Sequence, residues 1–110
     1  MDVIRDRNSL YRETSEGLIE NVYIIKLLNM DKLDHSYTLT VEGIPDLTLK
    51  KDATEIVVKS GEVLELPVRV QVDAYNLKKR SNKISFTLSS TGYDKLSVVE
   101  EARFLGPEFK

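Results

Sequence analysis

No cysteine and no tryptophan occur among the 110 residues, and histidine occurs once, at position 35. Without a thiol the chain has no disulfide, no thiolate nucleophile, no ligand set for an iron–sulfur cluster and no ordinary structural zinc site. A single imidazole supports neither a histidine cluster around a metal nor a serine–histidine–aspartate triad with a partner to spare. Glycine-rich phosphate loops, metal-binding helix motifs and nucleophile elbows are missing as well. No apolar run approaches the roughly 18 residues needed to cross a bilayer, and no leader-like segment is present, so the sequence as it stands reads as soluble. Charge of one sign is also lacking. Sixteen basic and eighteen acidic residues are interspersed and leave a net charge of -2, which provides no strong field for nucleic acid.

What is there is a pattern of alternation. The chain is 41% hydrophobic, enough for one core at this length, and one domain is expected. From Gly61 to Val72, Leu64, Leu66, Val68, Val70 and Val72 alternate with Glu65, Pro67, Arg69 and Gln71. Period two puts all five apolar side chains on one face of a strand, whereas a helix would scatter them. Pro67 falls on the outward face, where its missing N–H predicts an edge or a bulge.

The same reading extends along the chain. Val3 to Arg12 predicts an edge strand interrupted around Arg7, Asn8 and Ser9, and Glu13 to Gly17 a reversal. Ile19 to Asn29 predicts a central strand with Tyr23, Ile25 and Leu27 on its inner face. Asn29 to Asp34 is a polar connection, followed by a strand in which Tyr37, Leu39 and Val41 alternate with polar residues. Short strands are expected at Leu47 to Leu49 and at Glu55 to Lys59, with a solvated turn at Lys50, Lys51 and Asp52. Asp73 to Asn82 reads as a long polar connection anchored by Tyr75 and Leu77. Ile84, Phe86 and Leu88 mark another strand, Thr91 to Lys95 a turn, and Leu96 to Leu105 a last strand with Val98, Val99, Ala102 and Phe104 expected inside. Seven or eight short strands without a sustained 3.6 period predict an all-β fold, an immunoglobulin-like or fibronectin-like antiparallel β-sandwich. The antibody pattern of Cys, Trp and Cys is absent, so the expected sandwich is one without the disulfide.

Few residues invite chemistry. His35 with Met30 supplies only two ligands for copper, and His35 reads as a surface residue. Glu100 and Glu101 point to opposite faces of a strand and cannot act together on one substrate. Lys78, Lys79 and Arg80 form a basic loop, which reads as solvated or as touching an anionic surface. Arg5, Asp6 and Arg7 place two guanidinium groups around a carboxylate, where bidentate pairs would fix the chain's entry into the fold; the plainer reading is an exposed charged lead-in. No enzymatic activity is expected of the domain alone.

The opening Asp2-Val3-Ile4-Arg5-Asp6-Arg7-Asn8 with Leu10-Tyr11-Arg12, then Gly17, Ile19-Glu20-Asn21-Val22-Tyr23, Lys26, Asn29, Tyr37 and Gly43, and the closing Phe104-Leu105-Gly106-Pro107 together resemble the C-terminal domain of the CcoG/FixG family. These are accessory proteins of the cbb-type cytochrome c oxidase. The resemblance runs nearly end to end, and its most specific block is Arg-Asp-Arg to Asn-Val-Tyr, which makes Arg5, Asp6, Arg7, Tyr11, Arg12, Asn21 and Tyr23 the candidate interaction or structural motif. It implies that this chain is a C-terminal fragment, with Met1 standing where an upstream protein would join. That parent would carry membrane helices and two four-iron clusters bound by cysteines, none of which lies in this chain. It also implies a place at the periplasmic face of the bacterial inner membrane and a part in oxidase assembly and copper delivery. The expected partners are oxidase subunits or copper-delivery proteins, with Arg5, Arg7 and Arg12 either near lipid head groups or paired within the fold. A direct copper-binding domain and a structural spacer for the membrane part are the competing functions.

Overall fold

The computed structural model describes residues 1–107 apart from 6–10, 31, 33–34, 51–55, 78 and 91–96. Nine strands occur among the described residues: β1 (Asp2–Arg5), β2 (Arg12–Glu13), β3 (Leu18–Leu28), β4 (His35–Glu42), β5 (Thr48–Lys50), β6 (Ile56–Val58), β7 (Val63–Asp73), β8 (Ser81–Ser90) and β9 (Ser97–Leu105). A single 3-10 turn (Ala74–Asn76) separates β7 from β8. All strand pairs are antiparallel and form two sheets, one ordered β1-β3-β7-β5 with β2 also on β3, the other β6-β4-β8-β9.

This is the immunoglobulin arrangement of constant type, in which strands A, B, E and D form one sheet and C, F and G the other. β1 and β2 are two pieces of strand A alongside β3, as the interrupted edge strand predicts, and β6 is an addition beside β4. Between β3 and β7 the register is unbroken for eleven residues, from Leu18↔Asp73 to Leu28↔Val63. Pro67 pairs with Ile24 without a bulge, and β5 reaches only to Lys50↔Arg69. Among the described residues, then, Pro67 has a neighbour on one side only, an edge position that tolerates its missing N–H.

The core lies between the sheets. Tyr23, Ile25 and Leu27 from β3, Val68, Val70 and Val72 from β7, and Ile84, Phe86 and Leu88 from β8 are all buried, with Leu39, Ile56, Val58 and Phe104 around them. Each set keeps the period of two that the sequence displays. The turn after β2 is closed by a Gly17 N–H to Thr14 carbonyl bond of 3.0 Å, and Gly17 holds φ 81° there, a conformation that costs other residues.

Three expectations need correction. Val98 and Val99 are 40% and 58% exposed rather than buried. Adjacent residues of a strand cannot share a face, and β9 is an edge: Val98 and Glu100 lie opposite the buried Leu88 and Phe86, yet among the described residues this stretch of the inner face is only partly covered. Tyr75 does not anchor the connection after β7. It is 96% exposed, and Leu77 alone is buried there. That connection is also shorter than expected, since Ser81 and Asn82 already belong to β8. The predicted turn at Thr91 to Lys95 and most of that at Lys51 and Asp52 lie outside the described residues.

Candidate functional site

The candidate motif is split between the two faces of the β1–β2–β3 corner. Asn21 and Tyr23 face inward from β3, and both are buried. The Asn21 amide engages one residue of β9 twice, donating from Nδ2 to the Leu105 carbonyl and accepting from the Leu105 N–H, each at 2.8 Å. The Tyr23 hydroxyl donates to the Arg103 carbonyl at 2.7 Å, with the Asn21 Oδ1 a marginal second acceptor at 3.5 Å. These side chains tie the edge strand of one sheet to the middle of the other, and satisfy β9 backbone groups that β8 does not take up.

The ring of Tyr23 packs edge-to-face on Phe86, with centroids 5.1 Å apart and planes at 68°. Tyr23 lies on the strand equivalent to B and Phe86 on the one equivalent to F, the two that antibody domains join by a disulfide. An aromatic contact bridges the sheets here, and the chain has no cysteine to do so. Burial pushes the Tyr23 phenol well above its ordinary value, against the opposing pull of the Arg5 charge, so the hydroxyl stays a donor throughout the neutral range.

Arg5 lies across from Tyr23 in the β1–β3 register. It is half-buried, and its Nη1 is buried without a hydrogen-bond partner. Asp6 and Arg7, the other members of the cluster expected around Arg5, lie outside the described residues. Tyr11 is exposed next to β2.

Arg12 sits on the outer face and pairs with Glu20, a carboxylate only 1% exposed although it points away from the core. Gln71 from β7 donates to the other Glu20 oxygen. Arg12, Glu20 and Gln71 occupy registered positions across three neighbouring strands, the arrangement in which cross-strand side chains meet. Burial raises the Glu20 pKa, but the bonds from Gln71 and Arg12 and the charges of Arg12 and Arg69 outweigh it and hold the carboxyl below its ordinary range. Above this group an open hollow of about 400 Å³ is lined by Arg12, Lys50 and Arg69 against Glu13, Glu16 and Glu20, so its charges balance. Glu20 is the member that sequence reading missed. Its one signal was a charged residue set between the apolar Ile19 and Val22.

For metal chemistry the geometry offers little. Met30 is exposed, His35 lies against the Tyr37 ring at the start of β4, and among the described residues no group of three or more His, Cys, Asp or Glu converges to hold an ion. Fold and site together define a cysteine-free immunoglobulin-like domain whose distinctive polar residues close its own sheets.

A family model described as "IG-like fold at C-terminal of FixG, putative oxidoreductase" matches residues 1–107, and the chain belongs to that family. It is 38% identical over 50 residues to the nitrogen fixation protein FixG of Rhizobium meliloti (strain 1021), a match that takes in 46% of this chain and 10% of that protein. A crystal structure of a FixG-related protein from Vibrio parahaemolyticus is 34% identical, covers 94% of this chain and 92% of its own, and superposes with a TM-score of 0.83. A protein from Archaeoglobus fulgidus, 15% identical, covers 99% of this chain and 98% of its own at a TM-score of 0.53, a likeness of fold alone.

Proposed function

We infer that this domain is the non-catalytic accessory module of a FixG-type protein. It works at the periplasmic face of the bacterial inner membrane, in a parent whose membrane part and two four-iron clusters carry the redox chemistry of oxidase assembly and copper delivery. Its task is to meet oxidase subunits or copper-delivery proteins. The observation that supports this reading most is how the motif residues are used: Asn21 and Tyr23 bind the β9 backbone and Arg12 neutralises Glu20. Residues engaged in closing a fold are not available as nucleophile, general acid or metal ligand. Contact through the β9 edge is disfavoured, because the inward-facing Glu100 is the kind of charge that keeps a sheet edge from pairing with another strand. Loops at the sandwich ends are the better docking elements.

The test is capture by the purified domain of oxidase subunits and copper-delivery proteins from solubilised inner membranes, beside an unrelated disulfide-free sandwich as control. Enrichment over the control is expected. Equal recovery from both would refute the reading.

A further inference from the structure

The end of the sandwich farthest from the N-terminus, where β4 leaves and β8 begins, holds a second hollow of about 310 Å³. Its charged lining is all of one sign: Lys79, Lys83 and Arg103, with Asn76 and Asn82 supplying amides and Gly43 one wall. The chain as a whole is slightly acidic, so this concentration of positive charge is local. Lys83 reaches the exposed Glu101 at 2.9 Å. Lys79 and Arg103 are exposed and have no acidic partner among the described residues.

Two features make this a shaped surface and not only a charged loop. Gly43 has φ 130°, and a Cβ there would stand 2.6 Å from the Lys83 carbonyl oxygen. The loop after β4 therefore lies directly on β8 and forms one side of the hollow. On the other side the 3-10 turn is held by the Asp73 carboxylate accepting from the Tyr75 N–H at 3.1 Å and by Asn76 Nδ2 donating to the Pro45 carbonyl at 3.0 Å. Between those two bonds Tyr75 is held out in solvent, 96% exposed. A projecting tyrosine and an arginine at a concave hollow are residue types that protein-binding hot spots favour.

We propose that this basic end, with Lys79, Lys83 and Arg103 in the hollow and the exposed Tyr75 next in the chain to its lining residue Asn76, docks a carboxylate-rich segment of a partner protein. The inference rests on the reading of the domain as an interaction module and names the chemistry of what it meets. Arginine takes a carboxylate in a bidentate fork, and an incoming carboxylate competes for Lys83 with Glu101, a bridge that is solvent-exposed and readily exchanged. Tyrosine contributes contact area at low entropic cost.

The experiment is a 15N–1H NMR titration of the 110-residue domain with a soluble twelve-residue Asp/Glu-rich peptide, repeated with a scrambled-charge peptide and with phosphatidylglycerol vesicles. Shifts confined to Gly43, Tyr75, Asn76 and residues 81–83, at least tenfold weaker in a Lys79→Glu/Arg103→Glu variant and several-fold weaker in Tyr75→Ala, are expected. No saturable shift, shifts spread over all surface lysines, or a response to the vesicles alone would overturn the proposal. A domain that takes the peptide but captures no oxidase subunit would keep this inference and lose the functional reading above.

Discussion

Replacing Asn21 with alanine removes one side chain and two hydrogen bonds, both to Leu105 and both 2.8 Å long. The partners left behind are a backbone N–H and a backbone carbonyl of β9. Leaving such a group unsatisfied costs about 1–3 kcal/mol, and because Leu105 is half-buried the lower half of that range applies to each. The expected loss for Asn21→Ala is therefore about 2–4 kcal/mol, a sizeable part of the roughly 5–15 kcal/mol that holds a domain together. Tyr23→Phe keeps the ring on Phe86 and orphans only the Arg103 carbonyl, so it should cost about 1–2 kcal/mol.

Urea unfolding followed by circular dichroism measures both, and the melting temperature should fall by about 8–16 °C for Asn21→Ala, at about 4 °C per kcal/mol for this size. The double variant should lose less than the sum, since the two side chains hold neighbouring residues of β9, Leu105 and Arg103, and neighbouring changes couple. Hydrogen exchange adds a local readout: amides of residues 103–105 should exchange faster in Asn21→Ala while those at the centre of β3 and β7 stay protected. An Asn21→Ala protein within about 0.5 kcal/mol of the parent, the range of an ordinary surface change, would refute the idea that these bonds close the sandwich.

Glu20 predicts an acid limb. Its folded pKa lies below the unfolded value near 4.5, so as pH falls the unfolded chain takes up the proton first, and the stability present above that value is lost as pH drops through the folded pKa. Glu20→Gln should flatten the fall in stability between about pH 5 and 3, read from unfolding midpoints at each pH; an unchanged slope would contradict the pairing with Arg12 and Gln71. Phe86→Ala should cost about 3–5 kcal/mol and Leu66→Ala, only half-buried, clearly less, with Phe86→Leu showing the value of the edge-to-face ring contact. Gly43→Ala should destabilise by about 2 kcal/mol or more in the same assay, because a strained φ adds to a backbone clash at 2.6 Å; a neutral result would mean that the loop does not lie on β8.

The strands were legible wherever one face is covered from end to end. In β7, Val68, Val70 and Val72 alternate with Pro67 and Arg69, and the sheet opposite buries every one of the valines. Legibility ends where covering thins. Val98 is apolar and faces inward, but among the described residues the first half of β9 is only partly covered, and no local pattern encodes that. Tyr75 failed for a related reason: the Asp73 cap sets the direction of the turn, and aromatic character alone does not. Among the candidate site residues, family likeness picked out Asn21, Tyr23 and Arg12, each of which makes defined contacts. Composition could not say that the contacts of Asn21 and Tyr23 are internal, because their partners are backbone groups of a strand 84 and 80 positions away.

One further regularity in β3 explains how the chain manages without a disulfide. Positions 19 to 29 of the inward face read Ile, Asn, Tyr, Ile, Leu, Asn, with an asparagine near each end. Asn21 holds β9 in the opposite sheet, and Asn29, just past the strand, donates from its side-chain amide to the Val58 carbonyl of β6 at 2.9 Å, while its backbone carbonyl accepts from the Gly61 N–H at 2.8 Å. The two edge strands of the second sheet are thus each fastened to the same central strand of the first, one at either end. Between them Tyr23, Ile25 and Leu27 supply apolar burial, which favours collapse but not a particular alignment of the sheets. A buried, hydrogen-bonded amide adds that selectivity, because a sheet shifted by one residue would break the bond. A disulfide would fix one distance between the sheets, whereas two asparagines eight residues apart fix both ends and hence the angle between them. If so, Asn21→Ala and Asn29→Ala should release different edges, with faster exchange at 103–105 in the first and at 56–58 in the second. A single pattern of release common to both variants would show that the sheets are aligned by the core alone.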